Sequence, residues 1–503
     1  MTNRRAARGT RQAGRCLLLA GVLAAALSPG LARAQAFDGL TLYNSLYSRT
    51  TRLVANDGQT VNSWTCATNI AYMPYLMPDS TLWRPGVYSG ASMRGGVYGG
   101  LIERYNWDGD IIQNFLWSGP NHQQHHDIEP MPNGNVLVLA WERKTQTEAR
   151  AMGRVNISSE MWPETIIEYD PDADSVVWEW RIWDHLIQDV DSTKPNFGVV
   201  RDHPERVDIN IGTLYSYGDW IHANIVSYSP ERDEIIFSSR FQNEFYVIDH
   251  STTTEEARGS TGGRHGRGGD IIYRWGNPQN YRRGGPADQH FFVVHGAHWI
   301  APGLRGAGNI LVFHNGDRPG SSNDYSSAEE ITPPLDHDDH YYIHPDSAFG
   351  PAGPGWIYSN PGVLYSANMS GAFRLPNDNT VICEAVTGRV TEVTYDGDVV
   401  WQYNAGAWTG RAMKYPRDFT VGTQEPVPPS PPDPLAFLPA IARGSLLVGP
   451  VTGGTVPEFA LHDASGRRVL ALRPGANSVA HLAPGVYYAR AAGTPARRVV
   501  LAR

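Results

Sequence analysis

The sequence predicts an all-β protein in which a six-bladed β-propeller is followed by a small C-terminal β-sandwich. At 503 residues the chain is too long for one ordinary core, so several domains or a repeat architecture are expected. Its 52 glycines and 36 prolines, with many aromatic residues, suit short strands joined by turns. A strand–turn–strand pattern also recurs along the chain, which indicates a repeat of β-sheet units.

The recurring pattern consists of an acidic turn between apolar strands, with paired β-branched residues and an aromatic residue. It occurs at residues 105–112, 169–180, 270–275 and 395–401. Asp-Gly between alternating apolar residues is a strong hairpin signal. Ile111 and Val176 are 65 residues apart, and Ile271 and Val399 are 128 apart, which is two such steps. A period of roughly 64 residues gives about six four-stranded units in the domain. Two packed sandwiches would also contain many strands, but they would not explain the repeat.

The first 35 residues predict a secretory signal peptide. A start rich in arginine precedes an apolar run over residues 16–27, and the small residues before Ala34 mark the expected cleavage site. The run is shorter than the roughly 20 residues that a membrane-spanning helix needs. A retained anchor is the alternative. We therefore expect a secreted, cell-surface or periplasmic protein.

Charge excludes two classes of partner. The chain has a net charge of −9, and its first 35 residues contain arginines but no acidic residue, so the mature protein is more acidic still. An acidic surface repels nucleic acid and anionic membranes. We therefore expect neither as a partner.

Prolines divide the chain. Residues 36–423 are expected to form the propeller, 424–440 a stiff Pro-rich linker, and 441–503 the sandwich. Within the last region, residues 463–469 and 482–488 resemble the C-terminal sorting domains of bacterial secreted proteins. That resemblance implies export and contact with secretion machinery, whereas a plain appended β-sandwich is the alternative.

Two cysteines remain once the predicted signal peptide is removed. Cys66 and Cys383 lie near opposite ends of the propeller sequence, so a disulfide bond could close the ring. Two buried free thiols are the favoured interpretation. No Cys-x-x-Cys or Cys/His spacing indicates structural zinc, and no cofactor is expected.

Three histidines occupy matching places in the repeat. His126, His222 and His295 each open a strand, and a turn and a second apolar strand follow. In the fourth copy the position holds Ser370. If these strands are the innermost of their blades, the imidazoles converge on the central channel. Neutral imidazoles there could supply a nucleophile, a general acid and a general base, and His125 adjoins them.

A metal site is the alternative use of these histidines. No aligned acidic residue joins them in the repeat, which weighs against it. Residues 121–127 and 336–340 also look like metal motifs, but the second is better explained as a solvated acidic loop. We predict no metal.

Arg318 lies one strand beyond His295. Its guanidinium could hold a tetrahedral oxyanion through two hydrogen bonds. A surface arginine in a loop is the alternative interpretation of this residue.

Together, these residues resemble the bacterial arylsulfate sulfotransferases, which use no nucleotide sulfate donor. The resemblance implies a six-bladed propeller, exported from the cytoplasm, that transfers a sulfuryl group from an aryl sulfate to a phenol through a sulfohistidine. The segments that carry it are residues 125–127, 132–135, 219–224, 238–240, 295–297, 315–318 and 388–393.

The resemblance implies that His222 and His295 are active-site histidines and that Arg318 binds sulfate. It also places the family's nucleophilic histidine near Ser370, where this sequence has none. The remaining candidates for the nucleophile are His222, His295 and the His125/His126 pair. We favour His222, because Asp219 and Asn224 flank it and either could orient its ring, with His295 as acid–base partner.

The leading hypothesis is therefore an exported arylsulfotransferase-like enzyme acting on small aryl sulfates and phenols. One alternative is a metal-dependent hydrolase or lyase that uses the His126, His222 and His295 ring. The other is a non-catalytic, surface-displayed binding propeller, which the serine at position 370 would suit.

Overall fold

The computed structural model describes residues 35–215 and 217–420, and in the C-terminal region residues 441–442, 445–448, 459–463, 466–473, 475–491 and 497–501. The predicted signal peptide and the Pro-rich segment lie outside these residues. Within them, strands dominate and helices are short. The prediction of an all-β protein is confirmed.

Residues 39–416 form six four-stranded antiparallel sheets, numbered here along the chain. Sheet 1 contains Gly39–Ser45, Thr50–Ala55, Thr60–Thr65 and Thr409–Pro416; sheet 2 contains Tyr75–Leu76, Leu82–Val87, Gly100–Tyr105 and Ile111–Leu116. Sheet 3 contains His122–Pro130, Val136–Glu142, Glu164–Asp170 and Ser175–Arg181; sheet 4 contains Ala223–Ser229, Glu234–Ser239, Glu244–Asp249 and Tyr273–Trp275. Sheet 5 contains Val294–Trp299, Ile310–His314, Ser327–Ile331 and Trp356–Ser359; sheet 6 contains Gly371–Arg374, Thr380–Glu384, Arg389–Val393 and Val399–Asn404.

The two ends of this domain meet in sheet 1. Strand Gly39–Ser45 pairs with Thr409–Pro416, so the sheet combines three strands from the start of the domain with one from its end. In sheets 3 to 6 the first strand is an edge strand. Those of sheets 3, 4 and 5 each pack against the first strand of the next sheet, and that of sheet 6 packs against Thr409–Pro416 of sheet 1. This places four consecutive first strands side by side around the centre of the domain.

The predicted hairpins occupy equivalent places in the sheets. The copies at 105–112, 169–180 and 395–401 are the turns between the third and fourth strands of sheets 2, 3 and 6. Residues 270–275 include the fourth strand of sheet 4. Gly109 and Gly397 have φ angles of 94° and 95°, a region that favours glycine, so these two turns need their Asp-Gly sequences. Three of the four copies of the sequence pattern therefore lie in the same turn of their sheets.

The remaining elements of this domain are short. Two α-helices span Gln146–Ala151 and Thr254–Ala257, and each begins with a threonine capping box. The 3₁₀ helices are Ile182–His185, Val200–Asp202, Pro278–Tyr281, Pro286–Asp288 and Arg417–Thr420. Two-stranded pairs join Lys144–Thr145 to Glu160–Met161 and Leu186–Ile187 to Val207–Asp208. Among the described residues, none of the helices has the length and apolar character needed to cross a membrane.

Both remaining cysteines are free and buried. Cys66 packs in a core cluster with Trp64 and Leu53, and Cys383 lies in a different cluster with Val381. The interpretation as two buried thiols is confirmed.

The described C-terminal residues are also strands. A five-stranded sheet contains Ile441–Ala442, Arg497–Leu501, Gly485–Ala491, Phe459–Asp463 and Arg468–Leu472, in that order, and Ser445–Val448 pairs with Gly475–Ser478. Leu446, Phe459 and Leu461 belong to a core of their own. A separate hydrophobic core is what a unit that folds independently needs.

One charged histidine joins two neighbouring sheets. His250 donates to Asp233 Oδ1 at 2.7 Å and to Glu168 Oε2 at 3.0 Å. Glu168 belongs to sheet 3, whereas Asp233 precedes the second strand of sheet 4. Burial alone would lower the pKa of His250, but the two carboxylates outweigh it and raise the pKa to about 9.

The contacts of His250 with Asp233 and Glu168 predict a folding stability that depends on pH. Because the folded pKa is raised from 6.5 to about 9, the stabilisation is complete below pH 6.5 and is lost as pH rises through 9. Substituting His250 with glutamine should therefore destabilise the protein by up to roughly 3 kcal/mol at pH 6 and by much less at pH 10. Denaturant unfolding of both proteins at the two pH values measures the difference. An equal destabilisation at both pH values would contradict a charged His250.

Candidate active site

The first strands of sheets 3 to 6 position the predicted histidines. His126 lies in the first strand of sheet 3, at an irregularity between the pairs Gln124–Ala140 and Ile128–Val138. His222 directly precedes the first strand of sheet 4, and His295 lies in that of sheet 5. The predicted convergence is seen for His126 and His222, whose ring centroids are 4.7 Å apart.

A left-handed backbone recurs at these positions. His126, His222 and Ser370 have φ angles of 49°, 52° and 85°, and Gly296 after His295 has 68°. Residues other than glycine pay an energetic cost in this region, which surrounding contacts must offset. The bend lets a side chain leave the sheet near the centre of the domain. This shared geometry is the structural basis of the repeat that the sequence shows.

The His222 ring is held on one edge and left accessible on the other. Its Nδ1 contacts Asp219 Oδ2 at 2.5 Å, its face stacks on Phe241 with centroids 4.5 Å apart, and Gly96 leaves no room for a Cβ beside its Cε1. The side chain is 10% exposed, and Nε2 has no hydrogen-bond partner among the described residues. With Asp219 accepting the Nδ1 proton, the neutral form of the ring carries its lone pair on Nε2.

His125 and His126 form a buried pair beside His222. Their Nδ1 atoms are 2.9 Å apart, and His125 stacks on Trp141 with centroids 4.0 Å apart. Burial is the main cause that lowers the pKa of both rings well below the usual value, and the neighbouring His222 lowers each further. Both imidazoles are therefore neutral at pH 7, and one donates to the other.

His295 is also neutral, but both its nitrogens are occupied. Nδ1 contacts Asn315 Oδ1 at 2.7 Å, and the backbone N–H of Met369 donates to Nε2 at 3.2 Å. Burial, followed by the charge of Arg240, lowers the pKa of His295 well below the usual value. In this arrangement neither nitrogen is free to exchange a proton with a substrate, so the acid–base role predicted for His295 finds no support here.

Ser370 is fully buried, and its hydroxyl is engaged. It donates to the carbonyl of Asn368 at 3.2 Å and accepts from the backbone N–H of Ala385 at 3.0 Å. These bonds fix the loop that contacts His295. Ser370 is therefore a structural residue and is not placed to act as a nucleophile.

Arg318 does not contact the histidines among the described residues. Its Nη1 donates to the carbonyl of Gly316 at 2.9 Å, and its guanidinium lies 4.7 Å from the centroid of Tyr325. Burial is the main cause that lowers the pKa of His314, and the charge of Arg318 lowers it slightly further. The sulfate-binding role that the resemblance implies for Arg318 stays a prediction.

Sequence reasoning missed Arg240. It ends the segment 238–240, which was noted as a motif without a role, and its backbone N–H donates to the carbonyl of His222 at 3.2 Å. Its guanidinium donates to Asn368 Oδ1 at 3.0 Å. The motif was the available signal, but arginine does not recur at this position in the repeat.

Three stacked rings lead from the surface to His222. Tyr215, which is 49% exposed, stacks on Phe241 with centroids 4.4 Å apart and an interplanar angle of 15°, and Phe241 stacks on His222. Tyr217 adjoins Tyr215 at 5.7 Å. Such a wall offers a planar surface to an aromatic ligand.

A cavity of about 590 Å³ opens at the opposite ends of the same strands. It is lined by residues that follow the histidines, including Ser227, His298 and Arg411. Arg411 is paired with Asp127 at 2.5 Å, and Asp127 also accepts from Tyr75 at 2.8 Å. This cavity therefore contains none of the predicted site residues.

The described residues contain one group with the spacing of metal ligands: His290, His314 and Glu329. His290 Nε2 and His314 Nδ1 each contact the Glu329 carboxylate, at 2.6 and 2.9 Å. Nε2 of His314 accepts from the backbone N–H of Phe292 at 3.0 Å, so the ring proton of His314 is on Nδ1. Nδ1 is the nitrogen that faces Glu329 and would have to bind the ion. The group is better explained as a hydrogen-bonded network. Segment 336–340 is largely exposed, as an acidic loop would be.

Comparison with known proteins gives one family. The family model of arylsulfotransferase (ASST) matches residues 96–332, which include His125, His126, His222, His295, Arg240 and Arg318. No curated protein matches the chain.

Several solved structures are similar to part of the chain. A protein of unknown function from Bacteroides caccae is 9% identical, with 75% of this chain and 99% of that chain covered and a TM-score of 0.41. Virginiamycin B lyase from Staphylococcus aureus is 11% identical, with 74% and 82% covered and a TM-score of 0.35. These likenesses carry no information about chemistry.

Proposed function

Because residues 96–332 belong to the arylsulfotransferase family, we propose that the protein transfers a sulfuryl group from an aryl sulfate to a phenolic acceptor through His222. One observation carries the proposal: Asp219 holds Nδ1 of His222 while Nε2 lies accessible with its lone pair free. An imidazole in this state is an activated nucleophile, oriented by a carboxylate.

The proposed reaction has two displacements. In the first, the Nε2 lone pair forms a bond to sulfur while the bond from sulfur to the aryl oxygen breaks, and the phenolate leaves with the electron pair. In the second, the acceptor oxygen attacks sulfur and the N–S bond breaks, which returns the electron pair to Nε2. The first phenolate takes a proton from solvent and the acceptor phenol releases one to solvent, so the two steps balance. The sulfated ring is cationic, and Asp219 stabilises that charge.

Neutral surroundings support this chemistry. His126 lies against His222 and is uncharged at pH 7, so it does not repel the cationic intermediate. The stacked Tyr215 and Phe241 rings provide a surface for the aryl group of donor and acceptor.

Turnover distinguishes this proposal from the two alternatives. Incubation with a chromogenic aryl sulfate and phenol, with and without a chelator, should give transfer to phenol that the chelator does not change. A chelator-sensitive hydrolysis would favour the metal-dependent enzyme, and no reaction would favour a binding protein.

We also propose that the protein is exported and that the C-terminal domain serves localisation alone. The described C-terminal strands have their own core, and none of the histidines described above lies there. A chain ending at Thr423 should keep full turnover of the aryl sulfate but fail to reach the location of the whole protein. Cell fractionation with an activity assay on each fraction checks both. Loss of turnover in a folded truncated chain would contradict this division.

A further inference from the structure

Arg240 is half-buried, and it differs from several fully buried arginines of the domain in having no carboxylate partner. Arg84, Arg274, Arg374 and Arg411 each form an ion pair with a buried carboxylate. Arg240 forms no ion pair among the described residues. Its Nη2 donates to Asn368, whereas Nη1 is buried and has no hydrogen-bond partner in the same part of the chain.

The unsatisfied guanidinium lies at the candidate site. Its charge is the main cause after burial that lowers the pKa of His295, and Asn368, which it binds, directly precedes the loop residue that donates to His295. Tyr215, Tyr217 and Asp219 are among the groups that act on its own charge. The backbone N–H of Arg240 donates to the carbonyl of His222 and its Nη2 donates to Asn368, so Arg240 links His222 to the loop that contacts His295.

A buried N–H donor without a hydrogen-bond partner costs free energy. A bound anion would remove that cost at Nη1, and a guanidinium presents its donors in a fork that fits two oxygens of a tetrahedral group. We propose that Arg240 binds the sulfuryl oxygens of the donor and holds the sulfur in line with Nε2 of His222. This assignment rests on the proposed function.

The charge balance also sets the class of ligand. The neighbouring His126 and His295 are neutral, and the carboxylates of Asp317 and Asp219 act on the charge of Arg240, so the site has little excess positive charge. Such a site favours a monoanion, which a sulfate monoester is, over the dianion of a phosphate monoester. Selectivity for sulfate esters over phosphate esters therefore follows from Arg240.

The test measures binding and not turnover. Benzenesulfonate is an aryl monoanion with a tetrahedral sulfur group that cannot be transferred, and phenylphosphonate at pH 9 is its dianionic counterpart. Calorimetric titration of the full chain should show benzenesulfonate binding more tightly. The substitution Arg240→Gln should weaken it by roughly 10- to 100-fold, the loss expected for a charged hydrogen bond. Arg240→Lys should give an intermediate loss, since the charge stays but the fork is removed.

Two controls separate this role from a structural one. Arg104→Gln removes an arginine that pairs with Asp79 away from the site, and it should leave binding unchanged. Arg240→Gln should not lower the melting temperature of the unliganded protein, because it removes a guanidinium that has no ion pair among the described residues; Arg240→Lys keeps the test valid if the glutamine variant does not fold.

Three outcomes would overturn the proposal. They are unchanged affinity in Arg240→Gln, no binding of benzenesulfonate by the wild-type protein, and a loss confined to Arg318→Gln, which would return the role to Arg318. Binding that depends on Arg240 without any sulfuryl transfer would instead contradict only the proposed function.

Discussion

Replacing His222 with alanine is expected to abolish sulfuryl transfer, with turnover at least roughly four orders of magnitude below wild type. A covalent nucleophile has no substitute once its lone pair is removed, and losses of this size or larger follow removal of such residues. Steady-state assay with a chromogenic aryl sulfate and phenol measures the loss.

Substitution of an exposed histidine outside the site is the matched control for effects of a histidine-to-alanine change on protein stability and preparation. His337 is 88% exposed in an acidic loop, and His337→Ala should retain wild-type turnover. Retention of more than about a thousandth of wild-type activity in His222→Ala would indicate that another imidazole carries the group, because a lost oxyanion donor costs only roughly a hundred- to a thousand-fold.

The second large effect is expected from Asp219→Asn. The carboxylate accepts the Nδ1 proton of His222 at 2.5 Å, whereas the amide can donate to Nδ1 and so move the ring proton to Nε2. The lone pair would then point away from the substrate. We expect turnover to fall by roughly three to four orders of magnitude, by analogy with loss of the orienting aspartate in a serine protease triad.

Binding should survive that substitution. The KM for the aryl sulfate should change little while kcat falls, because the ring is reoriented and not removed. Asp396→Asn, in an exposed turn, is the matched control and should have no effect. A loss of folded protein in Asp219→Asn, detected by its melting temperature, would mean that the carboxylate is needed for structure rather than for the tautomer.

The sequence was sufficient for the parts of the fold that depend on local chemistry. Asp-Gly at 108–109 and 396–397 requires a turn with positive φ, and the turns lie where they were predicted. The matching places of His126, His222 and His295 followed from the repeat, because equivalent positions in successive sheets face the same way.

The roles of individual site residues depended on contacts that pattern cannot show. Asp219 was predicted to orient His222 because it lies three residues away, and the contact is observed. The occupied nitrogens of His295 depend on Asn315 and Met369, which come from other parts of the chain. Arg240 was overlooked for the same reason, since only the three-dimensional arrangement reveals that its guanidinium lacks a carboxylate partner.

The most direct test of the account is to locate the transferred group. The full chain is incubated briefly with an aryl sulfate without acceptor, quenched under mild alkaline conditions and digested, and its peptides are analysed by mass spectrometry. We predict the added mass of one SO₃ group on the peptide that contains His222, and its loss when phenol is added before quenching. An adduct on His125, His126 or His295 would contradict the assignment of the nucleophile, and turnover without any adduct would contradict the two-step mechanism.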